Sequence, residues 1–376
     1  MNLNHEEIKK LIVGVFNKYN GLINICVPAR LEISPITTLN NHIAGDTAYP
    51  NTVIIYYTNI INYSNSTEEL ISYIVETIIH EYDNVKVYDS NLKTSFDSEP
   101  DNILFASNLC VISKSQKDTE DKKITAGGAL LINRTKQQCL LSKNIYDKMY
   151  PASITKLITA LVALKEDKLE DTVTISKNAA NITEPGAKLC GFKQGDKVKM
   201  DVLLKSMLIY SGNDAALAIA EHIAGSQKAF AEKMNETVRS IGTVNTNFVN
   251  PHGLHNDKQY TTPYDLYIII NDLLNYKEIY DMFGLKNYKA AYYNSSNKVV
   301  GKSFDATNRY LIGQATPPEN IKVVGGKTGT TDKAGNCLAL YCVNSKTKEE
   351  YISIILNADS ATSLYTQMTH LLSYGK

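Results

Sequence analysis

The stretch Pro151-Ala152-Ser153-Ile154-Thr155-Lys156, backed by Leu157, Ile158, Ala160 and Leu161, constrains the fold more tightly than any other segment. A proline suits the entry to a helix, and the apolar run behind it suits a buried one. Serine and lysine three residues apart then share one face about a turn apart, within hydrogen-bonding reach. A serine hydroxyl is a poor nucleophile until a neighbouring base takes its proton, so the spacing has a chemical use. Spacing alone decides nothing, because Ser90/Lys93, Ser295/Lys298 and Ser345/Lys348 repeat it. Those three read as solvated surface pairs. Only Ser153 stands over a run that must pack.

Further signals follow in chain order. Gly127 to Asn133 and Gln138 to Leu141 read as a strand pair turning at Arg134-Thr135-Lys136. Lys199 to Ile209 reads as a helix ending in Tyr210-Ser211-Gly212-Asn213-Asp214, and a second helix, Ala215 to Ala224, leaves from it. Ser211 and Asn213 on a tight interhelical turn can point into one cleft as proton relay and amide hydrogen-bonder, or simply cap the helix. Val323-Val324-Gly325-Gly326-Lys327-Thr328-Gly329-Thr330-Thr331 reads as a strand whose backbone lies open to a ligand. A glycine-rich hairpin would leave its lysine and threonines without a purpose. Cys337 to Val343 and Tyr351 to Leu356 read as antiparallel strands turning at Asn344 to Lys348, and Ser363 to Tyr374 as a closing helix.

The first hundred residues differ in character. Residues 5–19 have helical periodicity, Thr52 to Tyr57 suits a strand, and Thr67 to Tyr82 suits an amphipathic helix. That helix carries His80-Glu81-Tyr82-Asp83-Asn84, similar to the metal-binding helix of zinc metallopeptidases, but Asn84 occupies the second histidine position. An amide is a poor zinc ligand, so no metal is expected and the unit reads as at most a degenerate zincin-like domain. The expected organisation is an α+β domain over 1–92, a polar linker over 93–102 containing Pro100, and a second domain over 103–376.

Composition excludes more than it asserts. With 39 acidic and 39 basic residues in 376, no global field recommends nucleic acid or an anionic membrane as partner. The six cysteines lie far apart without a Cys-x-x-Cys pair, which reads as buried free thiols. Cys337 and Cys342, at odd spacing on one strand, would face opposite sides and could not bridge. Met1 to Asn20 lacks the basic start and long apolar run of a signal peptide, and no stretch reaches the roughly 20 apolar residues that span a bilayer.

Ser-x-x-Lys at 153, Ser-x-Asn at 211 and Lys-Thr-Gly at 327 together form the set that marks penicillin-recognising serine enzymes. The finer resemblance is to the low-molecular-weight D-alanyl-D-alanine carboxypeptidases. It is carried by Lys143-Asn144, Tyr150 to Leu157, Tyr210 to Asp214, Asn250-Pro251-His252-Gly253-Leu254 and Gly326 to Gly329, and covers about 103–376. It implies an α/β (α+β) fold of the DD-peptidase/β-lactamase type, an antiparallel sheet flanked by helices with an inserted helical lobe. It also implies site roles. Ser153 would be the nucleophile and Lys156 its base, with the N–H groups of Ser153 and Thr330 as oxyanion hole. Ser211 and Lys327 would relay the proton to the leaving D-alanine. Asn213 would hold the substrate amide, and Lys327, Thr328, Gly329 and Thr330 the substrate's carboxylate end. His252 is given to loop structure.

The implied substrate is a peptidoglycan stem peptide ending in D-Ala-D-Ala, and the implied ligands are β-lactam antibiotics. The setting is the extracytoplasmic cell envelope, and no cofactor is expected. The family usually places an arginine before the last helix. Here Leu364 stands there, so the carboxylate is expected to rely on Lys327, Thr328 and Thr330, giving a slow carboxypeptidase. The family's small C-terminal β-domain and membrane-anchoring helix do not follow before Lys376. A β-lactamase, or a non-catalytic peptidoglycan-binding or sensor protein, are the alternative readings.

Overall fold

The computed structural model describes residues 118–376, apart from 120, 137, 167, 242 and 244, together with three short strands nearer the N-terminus. The chain divides into two compact units, Met1–Gln116 and Lys117–Lys376. In the first, the described strands β1 (Arg30–Ser34), β2 (Gly45–Ala48) and β3 (Thr52–Tyr56) form a sheet of order β1-β3-β2. β1 runs parallel to β3 and β2 antiparallel to it. The strand expected over Thr52 to Tyr57 is therefore present. The helices expected over 5–19 and 67–82, with the His80 motif, lie outside the described residues.

The second unit is built on a five-stranded antiparallel sheet. β4 (Gly128–Asn133) and β5 (Gln138–Lys143) form the hairpin expected around residues 134–136. The chain then leaves the sheet and builds a lobe of helices and a second sheet. In order these are α1 (Lys156–Lys165), β6 (Thr172–Thr174), α2 (Lys177–Ala180), β7 (Lys197–Lys199), α3 (Met200–Tyr210), α4 (Asn213–Ala224) and α5 (Gln227–Ser240). They continue with α6 (Pro263–Leu273), α7 (Glu278–Phe283), β8 (Asn287–Tyr293) and β9 (Val299–Asp305). It returns through β10 (Ile321–Thr331), β11 (Gly335–Asn344) and β12 (Glu350–Ala358), and ends in α8 (Ala361–Leu372). The main sheet has the order β10-β11-β12-β4-β5, and β6 to β9 form the second.

Residue chemistry accounts for this order. Every residue of β4 is buried, because helices cover both faces of the sheet at its centre. Ala129 and Leu131 face one way, into a cluster with Leu338, Leu340 and Ile355 of the neighbouring strands and Leu364 and Met368 of α8. On the other face α6 packs against β4 and β12, and α1 packs behind α6. α1 is buried from Lys156 to Leu164, so an apolar helix carries a lysine into the core at its first position. Helix starts are closed locally: Ser226, Thr262 and Ser360 each accept a backbone N–H three residues on, and Pro263 follows Thr262. Burying the apolar stripes of α1 and α8 contributes about 25 cal/mol per Å2 of apolar surface removed from water. The sheet edge β10 meets the lobe through residues 152–155 and α7.

Candidate active site

The nucleophile turn is not the first turn of the α-helix but a tighter one. Residues Ala152–Thr155 form a 3-10 turn that runs into α1 at Lys156. In that geometry side chains at i and i+3 eclipse, so Ser153 and Lys156 stack directly. Lys156 Nζ lies 3.0 Å from Ser153 Oγ. The turn begins with Ala152 at φ 47°, a left-handed conformation that costs an L-residue roughly 1–2 kcal/mol. It is held by its surroundings. Thr155 Oγ1 donates to the Ala152 carbonyl at 2.8 Å, and Gln259 Nε2 lies 3.2 Å from Thr155 Oγ1. Gly253 approaches so closely that a Cβ there would meet the Ala152 carbonyl oxygen at 1.9 Å.

Lys156 is fully buried, and its amine makes three contacts: Ser153 Oγ, Asn213 Oδ1 at 2.7 Å and the His252 carbonyl at 2.5 Å. Two of the three partners can only accept. As an ammonium it donates to all three; without its third proton it keeps two N–H bonds for Asn213 and His252 and leaves a lone pair for the serine hydroxyl. Burial drives the Lys156 pKa well below the ordinary lysine value. The charge of Lys327 adds to the effect, and Cys190 and Asp214 oppose it. Desolvation thus favours the form of the amine that can accept a proton.

Ser211 and Asn213 arrive from the junction of α3 and α4. Ser211 ends α3 at φ 74°, and α4 begins at Asn213 two residues later. This sharp reversal turns both side chains to the same cleft, resolving the choice between cap and cleft geometrically. Ser211 Oγ lies 3.0 Å from Lys327 Nζ, which also donates to the Thr328 carbonyl at 2.9 Å. Burial, with a smaller contribution from the charge of Lys188, lowers the Lys327 pKa to about 7. Lys327 comes from β10, where Gly329 lies against the nucleophile: a Cβ on Gly329 would meet Ser153 N at 2.9 Å. Thr328 Oγ1 is 2.6 Å from Thr307 Oγ1, and Thr330 Oγ1 is 3.4 Å from Asn336 Oδ1 at the exposed rim. The structure therefore brings together Ser153, Lys156, Ser211, Asn213 and Lys327, with Thr328 and Gly329 beside them on the strand.

His252 serves through its backbone. Its ring accepts from Leu254 N–H on Nδ1 and meets Gln227 Oε1 through Nε2, which fixes the Nε2–H tautomer. Burial and the Lys156 charge push its pKa down to about 3. Its carbonyl, not its imidazole, reaches the Lys156 amine. Leu364 is a correction. It is 3% exposed and sits in the apolar cluster under the sheet, so position 364 does not border the cleft and no cation is missing from it there.

Other residues at the site had no signal of their own. Asp214 is buried and its carboxylate accepts the N–H groups of Cys190 and Gly191 at 2.8 Å and Phe192 at 3.3 Å, tying that loop to the Ser-x-Asn turn. An acid at the second position of a helix reads only as a dipole partner in sequence. The long-range pairings of Gln259 and Thr307 leave no local pattern either.

A serine hydroxyl 3.0 Å from a buried lysine amine, at the edge of an antiparallel sheet with an inserted helical lobe, is an arrangement that suits serine–lysine acyl transfer. A family profile described as D-alanyl-D-alanine carboxypeptidase, peptidase S11, matches residues 114–360. The chain belongs to that family. It is 30% identical over 263 residues to the D-alanyl-D-alanine carboxypeptidase DacF of Bacillus subtilis, covering 69% of this chain and 64% of that one. To DacA of Haemophilus influenzae it is 31% identical over 289 residues, covering 73% and 69%. The chain thus spans about two thirds of the length of these relatives. Among solved structures, the Streptomyces K15 DD-transpeptidase matches with TM-score 0.63 and 25% identity over 68% of this chain and 99% of that one. DacD of Francisella tularensis matches with TM-score 0.58 and 26% identity, over 69% and 73%.

Proposed function

We propose that the unit 117–376 is a serine-type D-Ala-D-Ala carboxypeptidase acting on peptidoglycan stem peptides, and that β-lactams acylate the same serine. The observation that carries this reading is the contact set of Lys156, a fully buried amine 3.0 Å from Ser153 Oγ whose other two partners, Asn213 Oδ1 and the His252 carbonyl, are acceptors. In acylation Ser153 Oγ bonds to the carbonyl carbon between the two D-alanines while its proton passes to Lys156 Nζ. The N–H groups of Ser153 and Thr330 hold the oxyanion, and Gly329 leaves room for the carbonyl to approach that turn. The C–N bond then breaks, and Ser211 passes a proton from Lys327 to the leaving amine. A pKa of about 7 suits Lys327 to give up that proton near neutral pH. Asn213 holds the acyl-side amide. Thr328 and Thr330 hydroxyls, with Lys327, draw the terminal carboxylate. Water hydrolyses the acyl-enzyme and regenerates Ser153. The substrate sets the place of action outside the cytoplasm. Among the described residues no helix is long and apolar enough to cross a membrane.

The test is intact-mass spectrometry after incubation with penicillin, together with D-alanine release from a D-Ala-D-Ala peptide. Wild-type chain gains one acyl group and releases D-alanine, and Ser153→Ala does neither. Labelling that persists in Ser153→Ala places the nucleophile elsewhere and removes the proposal.

A further inference from the structure

Position 364 is inside the core, so the charges available to a substrate carboxylate must come from the cleft wall itself. Along β10, Lys327, Thr328 and Thr330 flank Gly329, which lies against Ser153 N. Lys188 stands beside the Tyr210-Ser211-Gly212-Asn213 turn. Its carbonyl accepts the N–H of Asn213 at 2.7 Å, so its backbone is fixed to the Ser-x-Asn turn. Its ammonium lies 4.0 Å from the centre of the Tyr210 ring, and Tyr210 packs at 5.2 Å on Phe304 of β9. β9 leads directly to Thr307, whose hydroxyl meets that of Thr328. The charge of Lys188 is felt by Lys327 across this gap.

No carboxylate answers Lys188 among the described residues; the cause that opposes the lowering of its pKa by burial is the Cys190 thiol alone. Lys188 is exposed, with its head over an aromatic face, worth about 0.5–1 kcal/mol at an exposed site. Two cations thus flank one turn: Lys188 lies over Tyr210, and the next residue, Ser211, meets Lys327 through its hydroxyl at 3.0 Å. Like charges held together without an acid call for an anion between them.

We propose that Lys188 is a specificity-determining residue that binds, together with Lys327, the C-terminal carboxylate of the peptide Ser153 cleaves. This rests on the carboxypeptidase reading above. The ligand class is a peptide with a free C-terminal carboxylate, and an anionic β-lactam presents the same group.

The experiment compares kcat/KM of the full chain on a peptide ending in D-Ala-D-Ala with that on its C-terminal amide. In parallel, Ser153 acylation rates by benzylpenicillin and by its methyl ester are followed by intact mass. Lys188→Met keeps contact with the Tyr210 ring. It is expected to lower turnover of the acid and acylation by penicillin by about 10- to 100-fold, the loss for one charge-assisted hydrogen bond. The amide and the ester should change by less than about threefold, and Lys188→Arg should restore the acid substrate. Equal losses on acid and neutral ligands, or no loss on either, overturn the proposal. So does an acid-selective loss found in Arg309→Met, which lies two residues beyond Thr307, and not in Lys188→Met. Failure of the wild-type chain to take up penicillin at all would instead strike the carboxypeptidase reading.

Discussion

Replacing Gly253 with alanine tests how the nucleophile turn is held. Gly253 adopts φ +86°, and an added Cβ would lie 1.9 Å from the Ala152 oxygen, 2.4 Å from its carbon and 2.9 Å from Ser153 N. All three are backbone atoms, so no side chain can swing away. Ordinary contact begins near 3.4 Å, and the turn or the Asn250 to Leu254 loop must therefore retreat by more than an ångström. Left-handed strain of about 1–2 kcal/mol and overpacking of about 1–3 kcal/mol together give a stability loss of about 2–5 kcal/mol. That corresponds to roughly 4–20 °C in Tm for a unit this size. Misplacing a reacting group by about an ångström costs on the order of 100-fold in rate. The assay is penicillin acylation of Ser153 by intact mass, with thermal unfolding alongside. Gly225→Ala is the control, since Gly225 has φ +76° with nothing within 4 Å of the new Cβ. It should lose stability by strain alone and acylate normally. If Gly253→Ala acylates within about threefold of wild type, or Gly225→Ala loses as much, then close approach to Ala152 does not set the nucleophile.

Two further outcomes concern charge and burial. Because the folded pKa of Lys327 is about 7 against 10.5 for a free lysine, the unfolded chain binds more protons between those values, so stability contributed by this group rises with pH across that window. Urea unfolding at pH 7 and 9.5 should show wild type gaining stability relative to Lys327→Met by up to a few kcal/mol; a flat or falling difference contradicts the burial argument. Leu364→Arg places a charge in the apolar cluster with Met368 and Leu340, so it should cost about 3–5 kcal/mol and give no gain in kcat/KM on a D-Ala-D-Ala peptide. A Tm scan with turnover checks it, and a stable, faster variant would return position 364 to the cleft.

The three motifs were legible because each is local. Ser153 and Lys156 are neighbours by spacing, and Ser211 and Asn213 share one turn. The glycines around Lys327 announce a backbone that something must approach. Even so, the contact between Ser153 and Lys156 forms for a slightly different reason than the spacing implied. A 3-10 turn eclipses residues 153 and 156 more directly than the expected α-helical turn. What stayed hidden was contributed by backbone atoms or by distant partners. The His252 carbonyl that receives a Lys156 donor has no sequence identity, since any residue supplies a carbonyl there. Leu364 could be aligned by number but not by face, because a helix of mixed apolar and polar residues accepts several rotations until Leu338 and Leu340 of β11 fix one.

The electrostatics of the cleft depend on the two buried lysines being read as a pair. The charge of Lys327 is among the causes that lower the Lys156 pKa, so a proton on one disfavours a proton on the other. Asp214, the buried carboxylate nearby, already accepts four backbone N–H groups and opposes this only in part. Lys156 has two accepting partners that use its N–H bonds, whereas Lys327 has the Ser211 hydroxyl and the Thr328 carbonyl. Under the proposed mechanism a proton held on Lys327 leaves Lys156 as the base and Lys327 as the acid. A substrate carboxylate near Lys327 and Lys188 would strengthen that division, since it stabilises charge at the acid's end of the cleft. Binding and activation are then the same electrostatic event: the anion that identifies the peptide's C-terminus also holds the proton away from the amine that must accept one from Ser153.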